Sequence, residues 1–238
     1  MRKLSISLGM GLLTSALALV AGCGQDDSLD LSEVPLAVED EKADVFFPGG
    51  SQFKWVRPSV AEIRCVRAPC PTAILNDVNL AQTQLSYGYD WRALKLSPSQ
   101  QSELELNAGK TLLYGKYANA KMSGQMVQIY QVTRANPRVS TQSVDSVDVD
   151  RYYTVKATNP SCSQPPCGYS AILMNRQQSE QWTDMDLSRL GLPQNARETL
   201  VGELKKGSAY VSIQSPIVQP VVVTEAFRSY NAEPLPRN

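Results

Sequence analysis

The chain has 238 residues, with 23 basic and 23 acidic side chains, five cysteines and no histidine. The lack of histidine excludes Ser-His-Asp and Cys-His nucleophile systems, His-ligated metals and the usual acid-base group near neutral pH. From residue 45 onward twenty basic residues face fifteen acidic ones, an excess too mild and too dispersed to argue for a nucleic-acid partner.

In chain order, Arg2 and Lys3 precede an apolar, nearly uncharged run from Leu4 to Val20, closed by Val20-Ala-Gly-Cys23. This is the form of a secretory signal over residues 1–22 rather than a fold element. The closing tetrapeptide resembles a bacterial lipobox. That resemblance implies that Cys23 becomes the mature amino terminus and carries lipid, palmitate included, on its sulfur and amine. Several acyl chains, at about 0.8 kcal/mol per buried methylene, would hold the protein to a bilayer. Gly24 rather than aspartate after Cys23 favours an outer-membrane destination within the cell envelope. Residues 23–50 then read as a solvated acidic tether, with eight carboxylates between Asp26 and Asp44 against Lys42. An alternative reading lays that acidic strip on the basic body.

Beyond the tether the sequence repeats. Cys65-Val-Arg-Ala-Pro-Cys70 and Cys162-Ser-Gln-Pro-Pro-Cys167 are proline-bearing hooks. Each follows a strand-like run (Phe53 to Arg57, Tyr152 to Lys156). Each leads into a second one, Thr72 to Val78 with Ala73-Ile-Leu-Asn76, and Tyr169 to Met174 with Ala171-Ile-Leu-Met-Asn175. Leu85 to Trp91 reads as extended. Ser97 is expected to cap a helix with Pro98 in its first turn and Gln100 in capping-box spacing. Leu104 and Ala108 share a face, and Gly109 ends it. Thr111 to Tyr117 and the alternating Met126 to Val132 follow as strands. In the second unit Asp186 to Leu192 parallels Asp90 to Leu96. A helix after Pro193 carries Ala196, Leu200 and Leu204 and closes at Gly207, and strands run Ser208 to Ile213 and Val221 to Phe227. The division is module 1 over 51–137, a linker over 138–150, module 2 over 151–232 and a tail over 233–238.

The fold class expected is α+β, strand-dominated: two tandem repeats of a small β-sheet or OB-like barrel with one helix each. A helix between the third and fourth of five strands is the OB order. With Cys23 lipidated, four cysteines remain, and the duplication favours Cys65–Cys70 and Cys162–Cys167 disulfides in an oxidising compartment. A four-thiolate zinc site and a redox pair are the rivals. The hooks, Leu75-Asn76, Asn175 and Val222-Val-Thr-Glu-Ala-Phe227 together resemble the duplicated Cys-x4-Cys domains of unknown function in predicted secreted lipoproteins, particularly of myxobacteria. That resemblance implies location and architecture and adds no catalytic residue.

The sequence offers three sources of function. Tandem β-rich modules present loops and sheet edges, which suits a non-enzymatic module that binds another protein. Tyr87, Tyr89 and Trp91 fall on one face of an extended strand and could stack on a glycan. Asp90 and Asp186 occupy equivalent positions and could form a hydrolytic carboxylate pair, or make local turn bonds. No Gly-rich phosphate loop or EF-hand-like acidic loop is present, so no cofactor or metal is expected.

Overall fold

The computed structural model describes residues 29–36, 53–59, 65, 68–140, 151–159, 161–162, 168–176, 178–213 and 219–235. The expectations for the signal run, Cys23 and Cys167 lie outside these residues. The fold is strand-dominated α+β in two similar modules. Module 1 is preceded by a short strand, β1 (Leu29–Asp30). It comprises β2 (Lys54–Ser59), β3 (Ala73–Asp77), β4 (Thr83–Ser86), β5 (Tyr89–Asp90), α1 (Pro98–Leu106), β6 (Thr111–Met122) and β7 (Gln125–Pro137). Module 2 repeats the order with β8 (Arg151–Ala157), β9 (Tyr169–Leu173), β10 (Ser179–Trp182), β11 (Met185–Asp186), α2 (Gln194–Lys206), β12 (Ala209–Ile213) and β13 (Val221–Arg228).

The pairings make each module a five-stranded, partly open barrel of OB-like order. The first three strands form an antiparallel meander, β2 on β3 and β3 on β4. The fourth, β6, returns beside β2, and β7 pairs with β6. β5 continues β4 and runs parallel to β7, with Tyr89 opposite Tyr130. Between them the Tyr87 N–H bonds Gln128 O at 2.9 Å and the Tyr130 N–H bonds Gly88 O at 3.1 Å. Thus β4 and β5 are halves of one bent strand that leaves β3 and joins β7, closing the ring. β11 pairs parallel to β13 in the same way.

Local chemistry explains the helix ends. The Gln100 N–H donates to Ser97 Oγ while the Ser97 N–H donates to Gln100 Oε1, a complete capping box with Pro98 in the first turn. α1 stops at Leu106, earlier than Gly109, because the Asn107 Nδ2 and N–H both turn back to Glu103 O, and a 3-10 turn over Ala108–Lys110 follows. Gly207 closes α2 at φ 72°, donating to Glu203 O and Leu204 O. Leu104 enters the module 1 core, while Ala196, Leu200 and Leu204 are buried in module 2. The alternation expected over Met126 to Val132 fails at Tyr130, which is fully buried. There β7 is covered on both faces, by the barrel on one side and by the cluster of Val34, Ala120, Met122, Val127 and Ile129 on the other.

Two departures from the sequence reading matter for function. First, part of the acidic tether is docked. Leu29 and Asp30 pair with Met122 and Lys121 of β6, and Val34 is buried against Ile129 and Val127. The Arg92 guanidinium donates to Leu31 O and Val34 O, and Gln131 Nε2 to Pro35 O. Lys121 Nζ bonds Glu33 at 2.9 Å. The run Leu29, Leu31, Val34 gives this strap an apolar side despite its charge, and that side is what docks.

Second, the modules share a core. Trp55, Val78 and Leu112 of module 1 pack with Tyr152, Met174, Tyr210 and Phe227 of module 2. Two asparagines clamp this seam reciprocally. Asn175 Oδ1 accepts the Trp55 N–H (2.8 Å), and its Nδ2 donates to Trp55 O (2.7 Å) and Val78 O (2.9 Å). Asn79 Oδ1 accepts the Tyr152 N–H (2.9 Å), and its Nδ2 donates to Tyr152 O (2.8 Å) and Met174 O (2.9 Å). Both asparagines sit in the left-handed region, at φ 60° and 57°. Residue i of one module meets residue j of the other and the converse, the pattern of a two-fold dimer interface within one chain. The expected linker also begins as structure, since Arg138 bridges to Phe227 and the Val139 N–H bonds Ala226 O.

Candidate functional site

Cys65 and Cys70 form a disulfide with Cα atoms 5.7 Å apart. It closes the loop between β2 and β3, and a bridge spans too few residues there to gain more than about 2 kcal/mol. Cys162, in the equivalent loop of module 2, is also disulfide-bonded, and its backbone oxygen accepts Lys205 Nζ at 3.1 Å, tying the hook to the end of α2. A bonded Cys65–Cys70 pair offers no thiolate to zinc.

The three aromatic residues do not form an exposed platform. Trp91 is buried in the barrel core, and its indole N–H donates to Glu105 at 2.8 Å. Tyr89 is half-buried and stacks on Trp91 with ring centroids 5.1 Å apart. Tyr87 packs instead toward the cluster under the strap. The period-two pattern fits a strand, but the strand bends at Gly88, where an added Cβ would lie 2.4 Å from Leu29 Cδ1. The two halves therefore serve different cores.

Asp90 and Asp186 are structurally equivalent, and each opens a 3-10 turn. Asp90 Oδ1 accepts the Arg92 N–H at 3.1 Å, and Asp186 Oδ1 accepts the Ser188 N–H at 2.8 Å. Burial alone would raise the Asp90 carboxyl, but bonds from the Arg92 side chain, Gln131 and the Arg92 backbone outweigh it and hold it below the usual carboxylate range. For Asp186 the Ser188 hydrogen bonds lower it likewise. These are turn carboxylates held ionised, whereas a glycosidic acid needs a raised pKa. Because its folded value lies below its unfolded one, the Asp90 contribution is present above the ordinary carboxylate value of 3.8 and is lost as pH falls through the lower folded value. Asp90→Asn should therefore cost about 2 kcal/mol near neutral pH. Its urea midpoint should converge on that of the parent as the titration reaches acid, and a constant gap across that range would refute the assignment.

What the fold leaves open is an edge. β4 and β10 lie at the ends of their strand orders. Among the described residues no strand pairs with the outer side of β4 over Thr83–Ser86, before the bent strand joins β7 at Tyr87. Leu85 on β4 is 48 % exposed, opposite the half-buried Ile74. The equivalent position on β10 is the exposed Gln181, opposite Ser170. The module 1 edge is therefore the apolar one. Leu85 could be found in the sequence only once the strand was known to be an edge. No family model, curated protein or solved structure matches the chain.

Proposed function

We propose that the protein is a lipid-anchored component of a bacterial cell envelope, attached at Cys23 and destined for the outer membrane, whose two modules act as one rigid, non-enzymatic body that binds another protein. The observation that carries this reading is the fused seam. A shared core and reciprocal asparagine clamps make the tandem modules a single scaffold. The β4 edge with Leu85 is a surface that such a scaffold presents ready for strand addition by an extended partner segment. Disulfide hooks suit an oxidising compartment. The carbohydrate reading through Tyr87, Tyr89 and Trp91 loses support because Trp91 lies in the core. The hydrolase reading loses support because Asp90 and Asp186 are committed to turns.

The test is in-cell photo-crosslinking from position 85 and from position 181, followed by mass spectrometry of the adducts. A reproducible protein adduct from position 85, absent from position 181, is expected. Adducts to glycan alone, or equal protein adducts from both positions, would overturn the reading.

A further inference from the structure

The docked strap changes how the anchor holds the body. A free tether from Cys23 to Phe53 would span thirty residues, with a root-mean-square length of about 30 Å and a reach of about 100 Å. Among the described residues the first docked one is Leu29, six residues from Cys23, so the lipidated residue lies within about 20 Å of it. Direction matters as much as length. Leu29 pairs with Met122 and Asp30 with Lys121, antiparallel to β6. The amino-terminal end of β1 therefore points toward the tip where β6 turns into β7 at Ser123 and Gly124. That tip is exposed over Ser123 to Met126, with Met126 64 % exposed. It is the end of a long hairpin that projects beyond the barrel, since β2 pairs with β6 only as far as Gly115.

We infer that the β6–β7 hairpin tip is the membrane-facing surface of the protein, held against the lipid headgroups by the Leu29–Leu36 strap, with Met126 as its apolar contact. This rests on lipidation of Cys23 as read above. The occupant is a lipid surface because Cys23 precedes Leu29 by only six residues and the amino-terminal end of β1 points at the tip. The strap is thus an orienting device as well as a cover for Val127 and Ile129. It sets the barrels on the side away from the bilayer.

The experiment uses the full-length lipidated protein in vesicles of phosphatidylethanolamine and phosphatidylglycerol that contain a headgroup spin-labelled lipid. A fluorophore is attached at Gln125→Cys near the tip or at Glu198→Cys on the exposed side of α2. Mass spectrometry of the amino-terminal peptide reports the lipid on Cys23 independently. Quenching at 125 several-fold stronger than at 198 is expected. It should fall toward the value at 198 in Val34→Asp, and in Leu29→Asp as a milder variant that spares the buried position. Equal quenching at 125 and 198 on protein with a lipidated Cys23 would overturn the orientation while leaving the anchor intact. An unmodified Cys23 would overturn both.

Discussion

Asn175→Gly should destabilise the fold by about 3 kcal/mol, although glycine suits the backbone there. The substitution keeps the left-handed conformation at φ 57° and removes only the carboxamide. With it go three hydrogen bonds across the seam. Trp55 O retains the Val78 N–H at 3.0 Å, but the Trp55 N–H and Val78 O lose their side-chain partner. A backbone group left unpaired away from water costs about 1–3 kcal/mol. Asn175→Ala should cost a further 1 kcal/mol or so, because a Cβ disfavours the left-handed region. Asn79→Gly should behave alike, since its bonds to Tyr152 and Met174 mirror those of Asn175. Urea unfolding followed by tryptophan fluorescence and far-ultraviolet circular dichroism reads the outcome. The parent should unfold in one coincident transition, because the modules share a core. In the double Asn79→Gly, Asn175→Gly variant the two probes should separate. Effects under about 0.5 kcal/mol, the range of ordinary surface changes, would mean that the clamps do not hold the seam.

This seam shows where the sequence was readable and where it was not. The capping box at Ser97, the stop at Gly207 and the order of strands around the helix were all legible, because each follows from local backbone chemistry or from element order. The equivalence of Asp90 and Asp186 was legible too. The register within the repeat was not. Ala73-Ile-Leu and Ala171-Ile-Leu look equivalent, but the hydrogen bonds place Asp77 on Leu173, Val78 on Met174 and Asn79 on Asn175. Leu75 therefore matches Ala171, a slip of two residues. A two-residue slip leaves every side chain on the same face of a strand, so alternation could not detect it. The asparagine after each second strand looked like a turn residue, and it is one. Its second task depends on a partner module whose position no local pattern encodes. Docking of the strap is legible only as the alternative of an acidic strip on the basic body, and its apolar basis is not: charge density masks Leu29, Leu31 and Val34, whose burial requires the far side of the β6–β7 hairpin.

The second large effect is expected at Glu225. Its side chain is 2 % exposed and is held by two arginines from outside module 2. Arg57 engages it with both terminal nitrogens, at 2.8 and 3.1 Å, and also donates to the Tyr152 hydroxyl. Arg138 adds a bond at 2.8 Å. Glu225→Ala should cost about 3–5 kcal/mol, because it leaves two guanidinium groups facing each other in a largely dry seam. Replacing all three residues together, as Arg57→Met, Arg138→Leu and Glu225→Leu, should be near neutral or stabilising by about 1–4 kcal/mol, since the desolvation of three charges is then avoided. Urea midpoints of the three proteins separate these cases, and a triple variant as damaged as Glu225→Ala would refute the account. The triad's value then lies in pairing the right modules. The register makes Glu225 equivalent to Arg134, and Arg57 equivalent to Thr154. In a two-fold pair of first modules Arg57 would meet Arg134, and in a pair of second modules Glu225 would meet a threonine. Only the mixed pair neutralises the carboxylate, so an interface with the symmetry of a dimer is restricted by its charges to one copy of each module.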